Sequence, residues 1–330
     1  MARPRSSAQK ADPVVHANAH FGSLPTEAVH PDSAHLDEMP AEKVVQLMLA
    51  EEGKAARAVA ARAPLIGRAA ELVAAKLAAG GRLVYAGAGT SGRLGTLDAV
   101  ECVPTFGVPP SRVVPIIAGG PSALTRSVEG AEDSARDAEQ RLRRVAVGPT
   151  DAVCCIAASG VTPFVLAALE YARFRRAATI FVTCGRVPTR DNGEPLADVV
   201  IALETGPEVI AGSTRLKAGT ATKMVLNAIS TTAFVLLGKT YAGLMVDVRP
   251  TNAKLWARAV RIVQALTGLT EPVARKLIEK AGGRAKVALV MHHARVPAAR
   301  ARELLVTHKG SLRAIVGDVP LLPVAADGDE

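Results

Sequence analysis

Aromatic side chains are scarce in this chain, with one Trp, three Tyr and six Phe among 330 residues. Base-stacking nucleic-acid modules need aromatic platforms, and sandwiches and propellers use them heavily, so these classes are disfavoured and Ala, Val and Leu must fill the interior. Cysteine is sparse too. Cys102, Cys154, Cys155 and Cys184 contain no CxxC pair, which fits neither a disulfide framework nor a zinc site, and a reducing cytoplasm suits such thiols. No apolar run reaches the ~18 residues of a membrane span, and the polar first residues hold no signal-peptide core, so neither membrane insertion nor export is expected. Histidine is missing from the middle of the chain, the seven lying at positions 16, 20, 30, 35, 292, 293 and 308. A Ser-His-Asp triad within the central region is thereby rejected, and His292-His293 has no third ligand nearby to make a metal site.

What is present is a basic, core-forming chain. Forty Lys and Arg against thirty-one Asp and Glu give +9. Apart from a short group at Arg173, Arg175 and Arg176 the charges are scattered, which reads as a solvated surface and not as a nucleic-acid footprint. Helical spacing of Ala, Val and Leu runs over 41–52 and 54–79, where Gly80-Gly81 stops it. Short apolar runs at 82–86, 113–117, 152–157, 179–183 and 199–203 then alternate with helical patterns, which implies an α/β fold with a buried parallel sheet. A long helix is expected over 216–237, broken early by Gly219 and ended by Gly238, and another over 252–266. Three short helices at 271–281, 284–292 and 297–307 close the chain. The expected organisation is a flexible leader (1–23), an α/β domain with N-terminal helices (24–267), and a small three-helix C-terminal domain with its tail (268–330).

Gly87-Ala88-Gly89-Thr90-Ser91-Gly92 follows a strand and opens a helix, which formally satisfies the dinucleotide pattern GxGxxG. The acidic residue that should end the second strand is missing from Val113–Ile117 and the glycines after it, so a nicotinamide cofactor is disfavoured. Two hydroxyls beside free amides at a helix N-terminus suit a phosphate monoester instead. A second strand ends in Ala158-Ser159-Gly160-Val161-Thr162-Pro163, again a small hydroxyl-bearing turn into a helix. Either loop alone reads as an ordinary N-cap; two in one sheet read as a phosphate site.

These residues carry a resemblance. The stretch from Ala86 to Gly95, then Leu97-Asp98-Ala99-Val100-Glu101-Cys102-Val103-Pro104-Thr105-Phe106-Gly107, Ser127 to Ser134, Gly206 to Thr220 and Leu244 to Val248 closely resemble N-acetylmuramic acid 6-phosphate etherases, in matching order from about residue 24 to 317. The resemblance implies a doubly wound parallel sheet of the sugar isomerase (SIS) type followed by a helical domain. It also implies cleavage of the D-lactyl ether of a 6-phosphosugar by water, without metal or cofactor, in a cytoplasmic homodimer. A non-catalytic phosphosugar sensor and a phosphosugar isomerase are the rival readings. The chain departs from the pattern at Val103, where a second proline is usual, and at Val161, where arginine is usual. Val29-His30 replaces a common Arg-Asn pair, and Gly185 a frequent asparagine.

In the open-chain sugar the C2 proton is acidified by the aldehyde, while the C3 ether oxygen must be protonated to leave. The chemistry needs a base and an acid, which two carboxylates in different surroundings can supply. By resemblance Glu101 is the acid and Glu132 the base. Their 31-residue separation puts them on different βα units, expected to converge at the carboxyl edge of the sheet. Without the resemblance, Glu101 reads as a helix-surface carboxylate and Glu132 as one acid of an exposed segment. Thr90, Ser91, Ser159 and Thr162 are the expected phosphate ligands, with Gly89, Gly92 and Gly160 allowing close backbone approach. Glu208, Ser213, Thr214 and Lys217 have two readings: they line the sugar pocket, or Ser213 and Thr214 cap a helix that Lys217 solvates. Arg93 either neutralises phosphate or pairs with Asp98.

Overall fold

Five short strands pair in parallel in the order β2-β1-β3-β4-β5: β1 (Leu83–Gly87), β2 (Val113–Ile117), β3 (Ala152–Ile156), β4 (Ala178–Thr183) and β5 (Val199–Ala202). A computed structural model describes residues 24–323 other than 191, 249 and 251, so the expected leader at 1–23 and the tail after Pro323 lie outside the described residues. Strands β1, β3 and β4 are buried along their whole length, which is why they read as continuous apolar runs and not as alternating ones.

Helices cover both faces. One face carries α1 (Ala41–Ala60), α2 (Ala63–Ala78), α3 (Gly89–Phe106) and α6 (Lys217–Leu236); the other carries α4 (Ala135–Arg144) and α5 (Pro163–Phe174). This is the doubly wound arrangement. The chain moves from β1 outward to β2, then back past β1 to β3. The gap between the carboxyl ends of β1 and β3 is therefore the switch point at which open α/β sheets bind ligands.

Buried polar groups fix α3 to β1 and α6 on one face of the sheet. Asp98, 5 % exposed, accepts from Tyr85 OH at 2.7 Å, Asn227 Nδ2 at 2.6 Å and Ser230 Oγ at 3.0 Å, and burial raises its carboxyl above the ordinary range. Phe106 stacks on Phe234 at 4.5 Å, so two of the few aromatics pin the end of α3 to α6.

Two helix boundaries differ from expectation. Gly53 lies inside α1, and the break comes at 61–62 instead. Pro64 sits in the first turn of α2, where its missing N–H costs nothing, whereas a mid-helix glycine costs only about 1 kcal/mol. For the same reason Gly219 does not break α6, whose first turn it occupies, buried.

Helices α7 (Ala253–Thr267), α8 (Glu271–Lys280), α9 (Ala285–Ala294) and α10 (Ala298–Thr307) share a separate core with Tyr241, Val246 and Val248, and α11 (Arg313–Val316) packs on α9. The boundary expected at 267 would cut through that core. We propose that the helical unit begins near Lys239.

Candidate functional site

A cleft of ≈ 320 Å³ opens at the switch point, lined by Ala88, Gly89, Thr90 and Ser91 after β1, by 156–159 and 161–163 after β3, by Glu132 and Asp133, by Gly212 and Thr214, and by Leu24 and Glu27. Thr90 and Ser91 lie in the first turn of α3. Its first intrahelical bond runs from Gly92 N–H to Ala88 C=O at 3.2 Å, so the amides of Gly89, Thr90 and Ser91 precede the ladder at the positive end of the helix dipole. Thr162 is the N-cap of α5, with Pro163 inside the first turn. Val161 N–H donates to Ser159 Oγ at 3.4 Å, a bond within this second loop. Among the described residues the lining includes three carboxylates, Glu27, Glu132 and Asp133, and no lysine or arginine. An anion held here would be held by dipoles, amides and hydroxyls.

Glu132 reaches the cleft from the short turn Ala131–Asp133, which follows Gly130 in the left-handed region at φ +68°. Gly119, after β2, leaves that turn room to pack, since a side chain there would press on Val128 and Ala131 at 3.1–3.2 Å.

The other expected residues sit elsewhere. Gly92 and Gly160 do not line the cleft. A Cβ at Gly92 would meet Ile117 at 2.6 Å and Gly87 O at 2.7 Å, and one at Gly160 would collide with the Arg186 carbonyl, so both permit close packing beneath the loops. Helix α6 begins at Lys217, not near Ser213, and Ser213 is no cap. Its first amides, on Lys217 and Ala218, donate to the two carboxylate oxygens of Glu208 at 3.1 and 2.8 Å. Glu208 and Lys217 are each 1 % exposed. Burial raises the Glu208 carboxyl against these two amide bonds. Lys217 Nζ donates to Glu51 Oε2 at 2.6 Å and to Pro207 O at 2.7 Å. Lys217 braces α6 to α1 and Glu208 caps α6, and neither is among the described residues that line the cleft. Arg93 takes neither expected role, donating to the carbonyls of Leu124 and Arg126.

Glu101 is exposed on α3, twelve residues after Gly89, or ~18 Å along the helix axis at 1.5 Å per residue. Glu132 lines the cleft, and Glu101 is not among the described residues that do. The exposed stripe that carries Glu101 also bears Leu97 at 50 % and Val100 at 58 % exposure. Sequence reading missed Glu27 and Asp133. The first stands in Leu-Pro-Thr-Glu ahead of any periodic segment and gave no signal; the second adjoins Glu132.

Comparison with known proteins follows the same lines. The family described as Glucokinase regulatory protein N-terminal SIS domain matches residues 65–173. An N-acetylmuramic acid 6-phosphate etherase of Rubrobacter xylanophilus is 50 % identical over 301 residues, covering 90 % of this chain and 97 % of the relative. That of Gloeobacter violaceus is 54 % identical over 269 residues, covering 82 % and 87 %. Among solved structures, a phosphoheptose isomerase from Francisella tularensis matches 59 % of this chain and 98 % of its own at 18 % identity, with a TM-score of 0.43.

Proposed function

The chain belongs to the N-acetylmuramic acid 6-phosphate etherase family, and from that membership we propose that its cleft cleaves the D-lactyl ether of N-acetylmuramic acid 6-phosphate, giving N-acetylglucosamine 6-phosphate and D-lactate in cell-wall sugar recycling. The reaction is that of a carbon–oxygen lyase in the cytoplasm, elimination followed by addition of water. The observation that carries this reading is the cleft itself: two helix N-termini with hydroxyls at Thr90, Ser91, Ser159 and Thr162, and the carboxylate of Glu132, beside those of Glu27 and Asp133, on the same space. The hydroxyls and amides hold the phosphate, and Glu132 removes the C2 proton and later directs water to the same carbon chain.

The acid is Glu101, and a homodimer supplies it. Leu97 and Val100 flank it on an unpartnered helix face, with Leu124 and Val128, 38 % and 40 % exposed, also uncovered. Two copies of α3 packed antiparallel about a twofold axis at Leu97 bring residue 101 of one level with residue 93 of the other, about one turn from Thr90. Glu101 of the partner subunit then protonates the departing lactate, while Glu132 works from its own chain. The match of residues 65–173 to a regulatory protein's domain favours a second reading, a phosphosugar sensor without catalysis; Glu101 and Glu132, the acid and base of the proposed reaction, weigh against it.

The test is D-lactate release by the wild type, by Glu101→Gln and Glu132→Gln, and by the two variants dissociated and mixed one to one. Each variant alone should fall at least ~10³-fold. The mixture should recover to about a quarter of wild-type activity, since half the dimers are mixed and each has one intact site. No recovery would place both glutamates in one chain's site; no lactate from the wild type, with binding retained, would favour the sensor.

A further inference from the structure

Resting on the etherase reading, we propose that Glu27 is the sugar-recognition residue of the cleft, its carboxylate accepting hydrogen bonds from the hydroxyl or acetamido N–H groups of the substrate while the two helix N-termini hold the phosphate. Glu27 comes from outside the sheet, on a segment that crosses to the cleft ahead of α1. Leu24 anchors that segment, 6 % exposed, and Glu27 N–H donates to Leu24 C=O at 2.9 Å. Gly212 N–H donates to Thr26 C=O, also at 2.9 Å, tying the segment to the loop that presents Thr214.

The carboxylate is placed by what Gly212 lacks. A Cβ on Gly212 would stand 2.8 Å from Glu27 Oε2, and Gly212 holds φ +74°, a backbone that favours glycine. The space of a missing side chain in the cleft wall is therefore filled by the end of Glu27. Among the described residues no hydrogen bond or ion pair engages that carboxylate, unlike Glu51 and Glu208, whose oxygens are consumed by the fold.

Two free acceptor oxygens repel a phosphate and satisfy polar hydrogens. The part of the substrate that meets Glu27 is thus the neutral, hydroxyl-bearing part, and the substrate's own lactyl carboxylate is turned to the other side of the cleft. An acceptor set at a fixed distance from the phosphate cradle measures the sugar and selects against short phosphate monoesters.

Calorimetric titration of wild type, Glu27→Ala and Glu27→Gln with N-acetylglucosamine 6-phosphate and, separately, with inorganic phosphate tests this, alongside D-lactate release and melting temperature. In Glu27→Ala the sugar phosphate should bind about tenfold more weakly, with kcat/KM falling by a comparable factor, while inorganic phosphate binding and melting temperature stay unchanged. Glu27→Gln keeps one acceptor and should recover part of the loss. Sugar phosphate binding unchanged in Glu27→Ala overturns the proposal, and so does an equal weakening of both ligands, which would make Glu27 a support for the cradle. Lactate release by the wild type judges the etherase reading separately, because the binding arms do not depend on turnover.

Discussion

Three helices of this molecule begin at small, hydroxyl-bearing turns, and they meet opposite fates. The N-termini of α3 and α5 open into the cleft, with the amides of 89–91 ahead of the first intrahelical bond. The N-terminus of α6, preceded by Ser213-Thr214, is closed by the chain's own carboxylate: Glu208 takes the amides of both Lys217 and Ala218. An anion site requires N–H groups without an internal acceptor. Hydroxyls nearby are common to all three turns and decide nothing.

Breaking the brace beside the closed terminus gives the largest contrast. Lys217→Met removes the buried cation that Glu51 Oε2 meets at 2.6 Å and leaves a carboxylate short of a partner, which should cost about 3–5 kcal/mol and lower the melting temperature by about 4–7 °C. Assayed in the cold, the variant should keep its KM, because neither Lys217 nor Glu208 lines the cleft. Ser91→Ala and Ser159→Ala should do the reverse, raising KM about tenfold with little change in melting. Calorimetry and initial rates on the three proteins check the pair of effects; a raised KM in Lys217→Met with normal melting would put α6 back at the substrate.

The brace under α6 should also set the acid limit of stability. Burial raises the Glu51 carboxyl, but hydrogen bonds from Lys217, Lys54 and His30 outweigh it and hold the group at about 2, down from 4.5. The folded chain thus releases this proton more readily than the unfolded one. The stabilisation is complete above pH 4.5 and is lost as the pH falls toward 2, amounting to about 3 kcal/mol at neutral pH. Glu51→Gln should melt lower at pH 7 and show a flatter decline between pH 4.5 and 2.5. A parallel decline in both proteins would mean that the acid response comes from other carboxylates.

The contrast also explains which parts of the molecule were legible beforehand. Five strands and the two-faced helix packing follow from continuous apolar runs such as Ala-Val-Cys-Cys-Ile, whose burial on both faces leaves no other reading. The two open turns were legible as strand–glycine–hydroxyl–helix sequences. Lys217 was not legible as a buried cation, since its partner Glu51 lies 166 residues away and no local pattern announces such a pair. Glu27 was invisible for a related reason: its place depends on Gly212 leaving a gap 185 residues further on. Glu101 was recognisable by motif, but a motif names a residue without placing it, and its exposed position on α3, outside the described lining of the cleft, was not legible.

The open turns differ from the family pattern in one respect, and restoring it sharpens the comparison by the smallest effect. Val161 lines the cleft beside Ser159 and Thr162, at the position where the resembling sequences usually carry arginine, and the described lining has no cation. Val161→Arg would add a charged donor within reach of an anion held by the α3 and α5 termini. At an exposed cleft mouth such a contact is worth about 1 kcal/mol, so KM for the phosphosugar should fall about fivefold, with kcat little changed. The gain should shrink in 0.5 M salt, where the Debye length is only about 4 Å. An unchanged KM at low salt would show that the two dipoles already saturate the phosphate, and that this chain has dispensed with the cation instead of losing it.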